Sequence, residues 1–317
     1  MCPVCPLTLS GTSNSWRSRH INILADYAAD EMCYIFVEDG DFYKKQCSDR
    51  DRRRILTPFR VPDFLSNELC TNLNGYFGCK SSLKSVPDTA DELGTLSTWS
   101  RILTKKILKT DEERAPGGVD YVWNEMAFFT RWSGPGASWI LCIGTPPAVR
   151  QGLAQVLNAS PTLELQDPFA MLRPLLDEVL KVCDENTWRV SEAVQGVEKH
   201  RGERSNFEQL HNLNRHARHL VEVEAVAIET MECLVARQET NFKLLPSTVT
   251  MTYQNQAKEH LEFQLQIMKS LKWRARASGE RLDSEINLAY NMLASTDSLI
   301  IKSITLLTMT PYPLGQP

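Results

Sequence analysis

The C-terminal part of the chain has the most regular hydrophobic pattern. Between Met251 and Met309, apolar residues recur at alternating steps of four and three, which places them in one stripe along a helix with the period of a coiled-coil seam. At 1.5 Å per residue, this helix would be about 90 Å long. Lys272 and Gly279 interrupt the stripe, and we expect a local bend or a weakened turn at Gly279 because glycine is a poor helix former. The main seam positions are Leu261, Leu265, Met268, Leu282, Ile286, Leu293 and Ile300.

A second amphipathic helix is predicted upstream, where apolar residues from Phe207 to Leu234 repeat the same spacing. Pro246 is expected to end this helical region, and Ser247 or Thr248 can cap the next helix. The short connection over residues 241–250 makes the two helices antiparallel neighbours. The pattern leaves two interpretations open, a helical hairpin that closes its own core and an oligomeric stalk. The polar positions between the apolar ones include Glu222, Glu224, Glu229 and Glu232.

The end of the long helix changes character. From Leu299 to Met309 the chain is apolar on nearly every side, and a proline-rich segment follows. A membrane span needs about 20 mostly apolar residues, whereas this run is about half as long and contains Lys302. The run is therefore either a helix end buried against the domain or the beginning of a transmembrane helix.

The first half of the chain predicts strands. Residues 121–132 and 138–143 are rich in strand-forming types and are separated by a turn containing Gly and Pro, so they are the strongest candidate for an antiparallel pair. A turn at residues 38–41 suggests that the first of the shorter strands belongs to a hairpin. These shorter strands are predicted over residues 33–37, 55–61 and 98–103.

Prolines mark the beginnings of two helices in the middle of the chain. Residues 147 to about 157 and 169–201 are predicted to be helical, because proline in the first turn loses no hydrogen bond. The polar residues 109–118 are predicted to be a loop. The charged run over residues 49–54 alternates acidic and basic residues, and we interpret it as a solvated turn.

Together these elements predict an α+β fold, in which a mixed α/β head precedes long antiparallel helices that form a helical stalk. The N-terminus contains several prolines and serines and is expected to be loose. The predicted units are the loose N-terminus (residues 1–22), the head (23–165), the stalk (166–309) and an irregular tail (310–317).

Composition limits the functional classes. The chain has 317 residues, of which 42% are hydrophobic and 23% charged, so it can bury a sizeable core. Its net charge is -4, and the lack of a basic excess argues against binding to nucleic acid. Cys2 and Cys5 form a CxxC motif, but no second pair follows at a zinc-ribbon spacing. The N-terminus does not have the pattern of a signal peptide, so a cytoplasmic location with reduced thiols is expected.

No motif in the sequence predicts an enzyme. Walker, GxGxxG, GxSxG and HExxH patterns are absent, and no tightly bound cofactor is expected. His216, His219 and Glu222 are spaced by three along one helix, so zinc binding is geometrically possible. Arg215 and Arg218 would repel a cation there, which favours the interpretation of a polar helix face.

Several of these segments together resemble CorA-type divalent-cation channels, particularly their divergent fungal relatives. Residues 121–132 and residues 167–170, followed by the helix through Trp188, are similar to the soluble domain of that family. The hairpin helix and the long helix ending in residues 297–309 are similar to its stalk. The resemblance covers most of the chain from about Ser97 onward.

The resemblance implies transport of Mg²⁺, as the transported or the regulatory ion, by a homo-oligomer that is a pentamer in the family. It places Ile304 near the hydrophobic constriction of the inner pore and Ser298 near a polar ring one or two turns below. In the family the long helix continues as a pore-lining span, followed by a Gly-Met-Asn tripeptide, and neither is present in this sequence. The expectation is therefore the cytosolic and stalk part of such a transporter, truncated before the pore and not conducting alone.

A soluble module for oligomerisation or interaction, derived from the same fold but not transporting, is the alternative. Contact with a membrane is expected only if the chain continues or joins full-length subunits, whose family location is the membrane. The carboxylates that would bind the cation are not identified by the sequence.

Overall fold

A computed structural model of the chain describes residues 7–12, 15–20, 32–38, 42, 47–66, 73–85, 91–108, 120–159, 163–200, 207–246 and 248–309. Over these residues, seven strands form one sheet and long helices follow it. The strands are β1 (Leu7–Thr12), β2 (Ser15–His20), β3 (Met32–Val37), β4 (Gly75–Lys84), β5 (Glu92–Ile107), β6 (Tyr121–Trp132) and β7 (Ser138–Ile143). The α-helices are α1 (Asp49–Leu56), α2 (Pro147–Ala159), α3 (Leu172–Lys199), α4 (Phe207–Phe242) and α5 (Met251–Met309). The α+β fold class predicted from the sequence is confirmed.

The sheet has the strand order β2-β1-β3-β7-β6-β5-β4. Strands β3 and β7 are parallel, and every other neighbouring pair is antiparallel. The predicted pairing of β6 with β7 is confirmed, with Trp132 opposite Ser138 next to the turn. Gly134 in this turn has a φ of 105°, which only glycine adopts without strain.

Both faces of the central strands are buried, because their successive residues point to opposite sides of the sheet. On β6, Phe128 faces the side covered by the long helices, and Phe129 faces the side covered by α1. Both rings are fully buried. The fold therefore has three layers, with the sheet in the middle.

The head and the long helices share one hydrophobic core. Residues of α3, α4 and α5 belong to the same buried cluster as residues of the sheet. The Tyr34 hydroxyl of β3 donates a 2.7 Å hydrogen bond to the backbone oxygen of Met171, immediately before α3. Helices α3 and α4 therefore pack on the sheet, and α5 packs on α3 and α4.

The long helix predicted from the hydrophobic pattern spans Met251–Met309, a continuous helix of 59 residues. It continues through Gly279, where an added Cβ would lie 3.8 Å from the Cβ of Ala217, an ordinary contact distance. No break occurs there. The helices predicted over residues 147–157 and 169–201 correspond to α2 and α3.

Three predictions in the head differ from the structure. The N-terminus is not loose over β1 and β2, which form a hairpin at one edge of the sheet. Residues 49–54 lie in helix α1 and not in a turn, because Ser48 caps the helix by accepting a 3.2 Å hydrogen bond from the Asp51 amide. Residues 55–61 are not a strand, since α1 and a 3₁₀ helix at Thr57–Phe59 occupy most of them.

The hairpin predicted after residues 33–37 is wrong in its pairing, because β3 pairs with β1 on one side and with β7 on the other. Most of its second half, together with the predicted loop at residues 109–118 and the tail at 310–317, lies outside the described residues.

Candidate functional site

The first part of α5 is held within the chain itself. Leu261, Met268 and Leu282 of the predicted seam are at most 1% exposed, Ile286 is 8% exposed and Leu265 is partly buried. They pack in the cores that α5 forms with α3 and α4. This half of the stripe therefore closes a core within one chain.

Polar contacts line the same interface. Lys269 Nζ lies 2.8 Å from Glu232 Oε1 of α4. Arg281 Nε donates a 2.8 Å hydrogen bond to Glu198 Oε1 of α3, and this bond raises the pKa of the guanidinium. These contacts link α5 to both neighbouring helices.

Helix α5 leaves its neighbours at Tyr290, whose ring centroid lies 4.7 Å from that of Phe207 at the beginning of α4. From Asn291 to Thr305 every side chain is exposed. The helix continues to Met309, so the projecting segment, residues 291–309, extends about 28 Å at 1.5 Å per residue.

The projecting segment carries the second half of the seam. Leu293 and Ile300 are 50% and 52% exposed and continue the stripe that Leu282 and Ile286 begin. A helix with an apolar face is stabilised mainly by covering that face, so the segment has the surface of an interaction site. Its exposed large apolar residues are Met292, Leu293, Leu299, Ile300, Ile301 and Ile304.

Ser298 and Ile304 both lie on the projecting segment and are exposed. They are six residues apart, which separates their directions by about 120° around a helix with 3.6 residues per turn. Ile304 shares the side of Leu293 and Ile300, whereas Ser298 points away from that side. The positions of both near a pore stay a prediction.

The candidate zinc ligands do not come together. His216 lies beside Asp120, and His219 lies beside the ammonium group of Lys105. In the part of the chain that the structure describes, no three His, Cys, Asp or Glu side chains are grouped so as to hold a metal ion. Among the described helices, none combines the length and the apolar composition needed to cross a bilayer.

Lys105 on β5 and Glu224 on α4 are among the buried ionisable side chains that were not predicted, and they are 2% and 1% exposed. Both had a signal in the sequence. Lys105 alternates with Leu103 and Ile107 on one side of a strand, and Glu224 follows Leu220 by four residues on the apolar stripe of α4. From its charge, each residue would be expected at the surface, but the packing of the fold buries it.

The fold is similar to solved structures of CorA-type proteins. The complete CorA magnesium transporter from Methanocaldococcus jannaschii matches with a TM-score of 0.58 and 11% identity, over 97% of this chain and 83% of that chain. The cytoplasmic domain of ZntB from Vibrio parahaemolyticus matches with a TM-score of 0.53 and 9% identity, over 93% and 99%. The full-length CmaX protein matches with a TM-score of 0.51 and 13% identity, over 98% and 87%. No protein-family model and no curated protein sequence matches the chain.

These matches show the fold. The chain has the architecture of the soluble domain of CorA and of the cytoplasmic domain of ZntB. The names of these solved structures describe CorA, ZntB and CmaX and do not describe an enzyme.

Proposed function

We propose that this chain is the cytosolic and stalk part of a CorA-like divalent-cation transporter of the divergent fungal type, with Mg²⁺ as the transported or regulatory ion. In this proposal the chain lies at the cytoplasmic side of a membrane, and the pore spans belong to a continuation of the polypeptide or to full-length subunits. The observation that carries the proposal is the uncovered apolar side of the projecting segment on a body with the CorA fold.

The partner that covers this side is a second copy of the chain. A seam with a coiled-coil period is suited to pack against an identical helix, because each apolar residue meets a hole between residues of its neighbour. Leu293, Ile300 and Ile304 supply this seam beyond the body. The proposal therefore includes a homo-oligomer around a central axis, and the resemblance to the CorA family implies that it is a pentamer.

Assembly is tested by measuring the molar mass of the purified chain by light scattering, with and without Mg²⁺. We expect an oligomer that the double substitution Leu293→Asp and Ile300→Asp reduces to a monomer, because burying a carboxylate in the seam is costly. Ser295→Asp, at an exposed polar position away from the seam, is the matched control and should leave the mass unchanged. A wild-type chain that stays monomeric at all concentrations would contradict the proposed stalk.

Transport is tested separately in cells that lack magnesium uptake. Because conduction in this proposal requires both pore spans, expression of this chain alone should not restore growth, whereas a version joined to two spans should. Growth restored by the chain alone would contradict both the expectation that the chain does not conduct alone and the alternative of a non-transporting module. An assembling chain that fails in both forms would instead favour that module.

A further inference from the structure

Lys105 is buried between the β5–β6 hairpin and helix α4. Its Nζ atom lies 3.0 Å from Nδ1 of His219 and 3.8 Å from the centroid of the Tyr121 ring. The Trp123 ring is 5.1 Å away on the same side of the sheet. The ammonium group therefore lies against two aromatic faces, which attract a cation, and against an imidazole nitrogen.

A second histidine lies one turn earlier on α4. His216 is 4% exposed, and its Nε2 atom lies 3.6 Å from Asp120 Oδ2 at the beginning of β6. Its ring meets Tyr121 edge to face, with centroids 5.4 Å apart. Within the described residues, its buried Nδ1 atom has no hydrogen-bond partner. His216 and His219 thus join α4 to the end of the hairpin.

The contact between Lys105 and His219 depends on whether the His219 imidazole is protonated. A neutral imidazole has one ring nitrogen that can accept a hydrogen bond from an ammonium group, whereas a protonated imidazole has none. Protonated His219 would also place a second positive charge 3.0 Å from Nζ. The same contact therefore changes from attractive to repulsive when His219 gains a proton.

The pKa directions agree with this geometry. Burial and then the charge of Lys105 lower the pKa of His216 to about 4. The same two causes, in the same order, lower the pKa of His219. Burial lowers the pKa of Lys105 itself to about 8, with Asp120 acting in the opposite direction. Positive charge is thus disfavoured across the cluster.

The charged residues around the cluster act in both directions. Asp120 raises the pKa of His216 and Lys105, and Glu222 raises that of His219. Arg215 lowers the pKa of both Lys105 and His219, and Arg218 lowers that of His219. On α3, Arg189 donates hydrogen bonds to Glu185 and to the backbone oxygen of Ile107, the last residue of β5.

We propose that Lys105, His216 and His219 form a proton-binding latch that holds the β5–β6 hairpin against α4, and that proton uptake by the two histidines releases this contact. The latch is a property of the folded chain, whether or not that chain takes part in transport. Its ligand is the proton, and its two states are the closed contact with neutral imidazoles and the open contact with imidazolium ions.

The latch lies beside the base of the projecting segment. Leu103 and Trp123 of the hairpin pack in the same apolar cluster as Leu282 and Ile286 of α5. Helix α4 also contributes Leu213 and Leu220 to that cluster. Loosening of α4 from the hairpin would therefore weaken the packing that supports α5 before it leaves the body.

The direction of the pH effect follows from the lowered histidine pKa values. Between about pH 4 and the ordinary histidine pKa of about 6.5, the unfolded chain binds more protons at these positions than the folded chain. Stability from the closed latch is therefore present above about pH 6.5 and is lost as the pH falls toward 4.

The first experiment measures the imidazole pKa values by NMR in the full chain. We expect His216 and His219 to titrate below the ordinary range and both to move upward in Lys105→Met, by about one pKa unit or a tenfold change in proton affinity. His211, which is exposed on the same helix, serves as the internal control. Should Lys105→Met fail to fold, Arg215→Gln tests the same charge effect from an exposed position and should raise the pKa of His219.

The second experiment measures amide hydrogen exchange along α4, corrected for the intrinsic effect of pH. We expect protection over residues 214–223 to fall roughly tenfold between about pH 7 and 4.5, and protection over residues 231–238 to change much less. In Lys105→Met the acid-induced loss should be smaller, because the repulsive charge is gone. Ordinary histidine pKa values in the wild type, histidines that respond to neither variant, or a uniform loss of protection along α4 would each overturn the latch.

Discussion

At the scale of single residues, the buried Glu224 has an unusual environment. Thr187 Oγ1 lies 2.7 Å from Glu224 Oε1 and 2.9 Å from the backbone oxygen of Cys183. The Thr187 hydroxyl has one proton and can donate it to only one of these oxygens. Both contacts are hydrogen bonds if Thr187 donates to the Cys183 oxygen and a protonated Glu224 donates to Thr187. Burial raises the pKa of Glu224 to about 8, which agrees with a carboxyl group that keeps its proton at neutral pH.

This environment predicts the effect of Glu224→Gln. Because the pKa of Glu224 is raised in the folded state, its protonated form contributes to the free energy of unfolding in full below about pH 4.5. This contribution is lost as the pH rises through about 8, by at most on the order of 1.4 kcal/mol per pH unit. The amide does not ionise, so the variant should not show this loss. Urea unfolding near pH 5 and pH 8 measures the difference. Glu229→Gln, at an exposed position of the same helix, is the control. Equal pH profiles for the Glu224 variant and the wild type would refute the prediction.

At the scale of elements, α5 is one helix in two environments. Leu282 is fully buried in the cluster with α4, whereas Leu293 lies on the same stripe and is half exposed. The residue type and the periodicity are the same at the two positions. What differs is the presence of a neighbouring helix from the same chain.

The same substitution should therefore have different effects at these two positions. We expect Leu282→Asp to lower the free energy of unfolding by about 3 kcal/mol or more, because it leaves a carboxylate and a cavity in a closed core. Leu293→Asp should change the stability of the monomer by about 0.5 kcal/mol or less. Urea unfolding at low protein concentration provides the measurement. Similar losses at both positions would mean that the end of α5 is also buried within one chain.

At the scale of the whole molecule, the sheet and the long helices form one unit, because residues of both belong to a single buried cluster. Tyr34 links β3 to the beginning of α3 by a buried hydrogen bond. The predicted division into a head and a stalk therefore describes the order of elements along the chain better than it describes their packing.

This shared core predicts that head and helices unfold together. Thermal unfolding followed by far-UV circular dichroism, which reports the helices, and by tryptophan fluorescence, which reports mainly the sheet, should give the same midpoint. Tyr34→Phe should lower both midpoints equally, since loss of the buried hydrogen bond costs about 1 to 2 kcal/mol. Tyr290→Phe, at an exposed position, is the control. A sheet signal that melts separately from the helix signal would contradict the single unit.

Much of the architecture follows from local patterns. The period of three and four determines the length of α5, and two strand-forming runs around a Gly- and Pro-containing turn determine the pairing of β6 with β7. The wrong secondary-structure predictions concern the short segments of the head, where the local sequence pattern is weak. Residues 55–61 have strand-forming types, but the cap at Ser48 starts a helix that runs into them.

The candidate site shows the same division. The sequence by itself determined that α5 carries one continuous apolar stripe, because helix geometry places residues three and four apart on one side. Only the tertiary structure decided that this stripe is covered up to Ile286 and uncovered beyond Tyr290. It likewise brought Lys105 to His219, which are 114 positions apart in the chain. Burial and proton affinity depend on neighbours that are distant in sequence, and a local pattern contains no record of which neighbours those are.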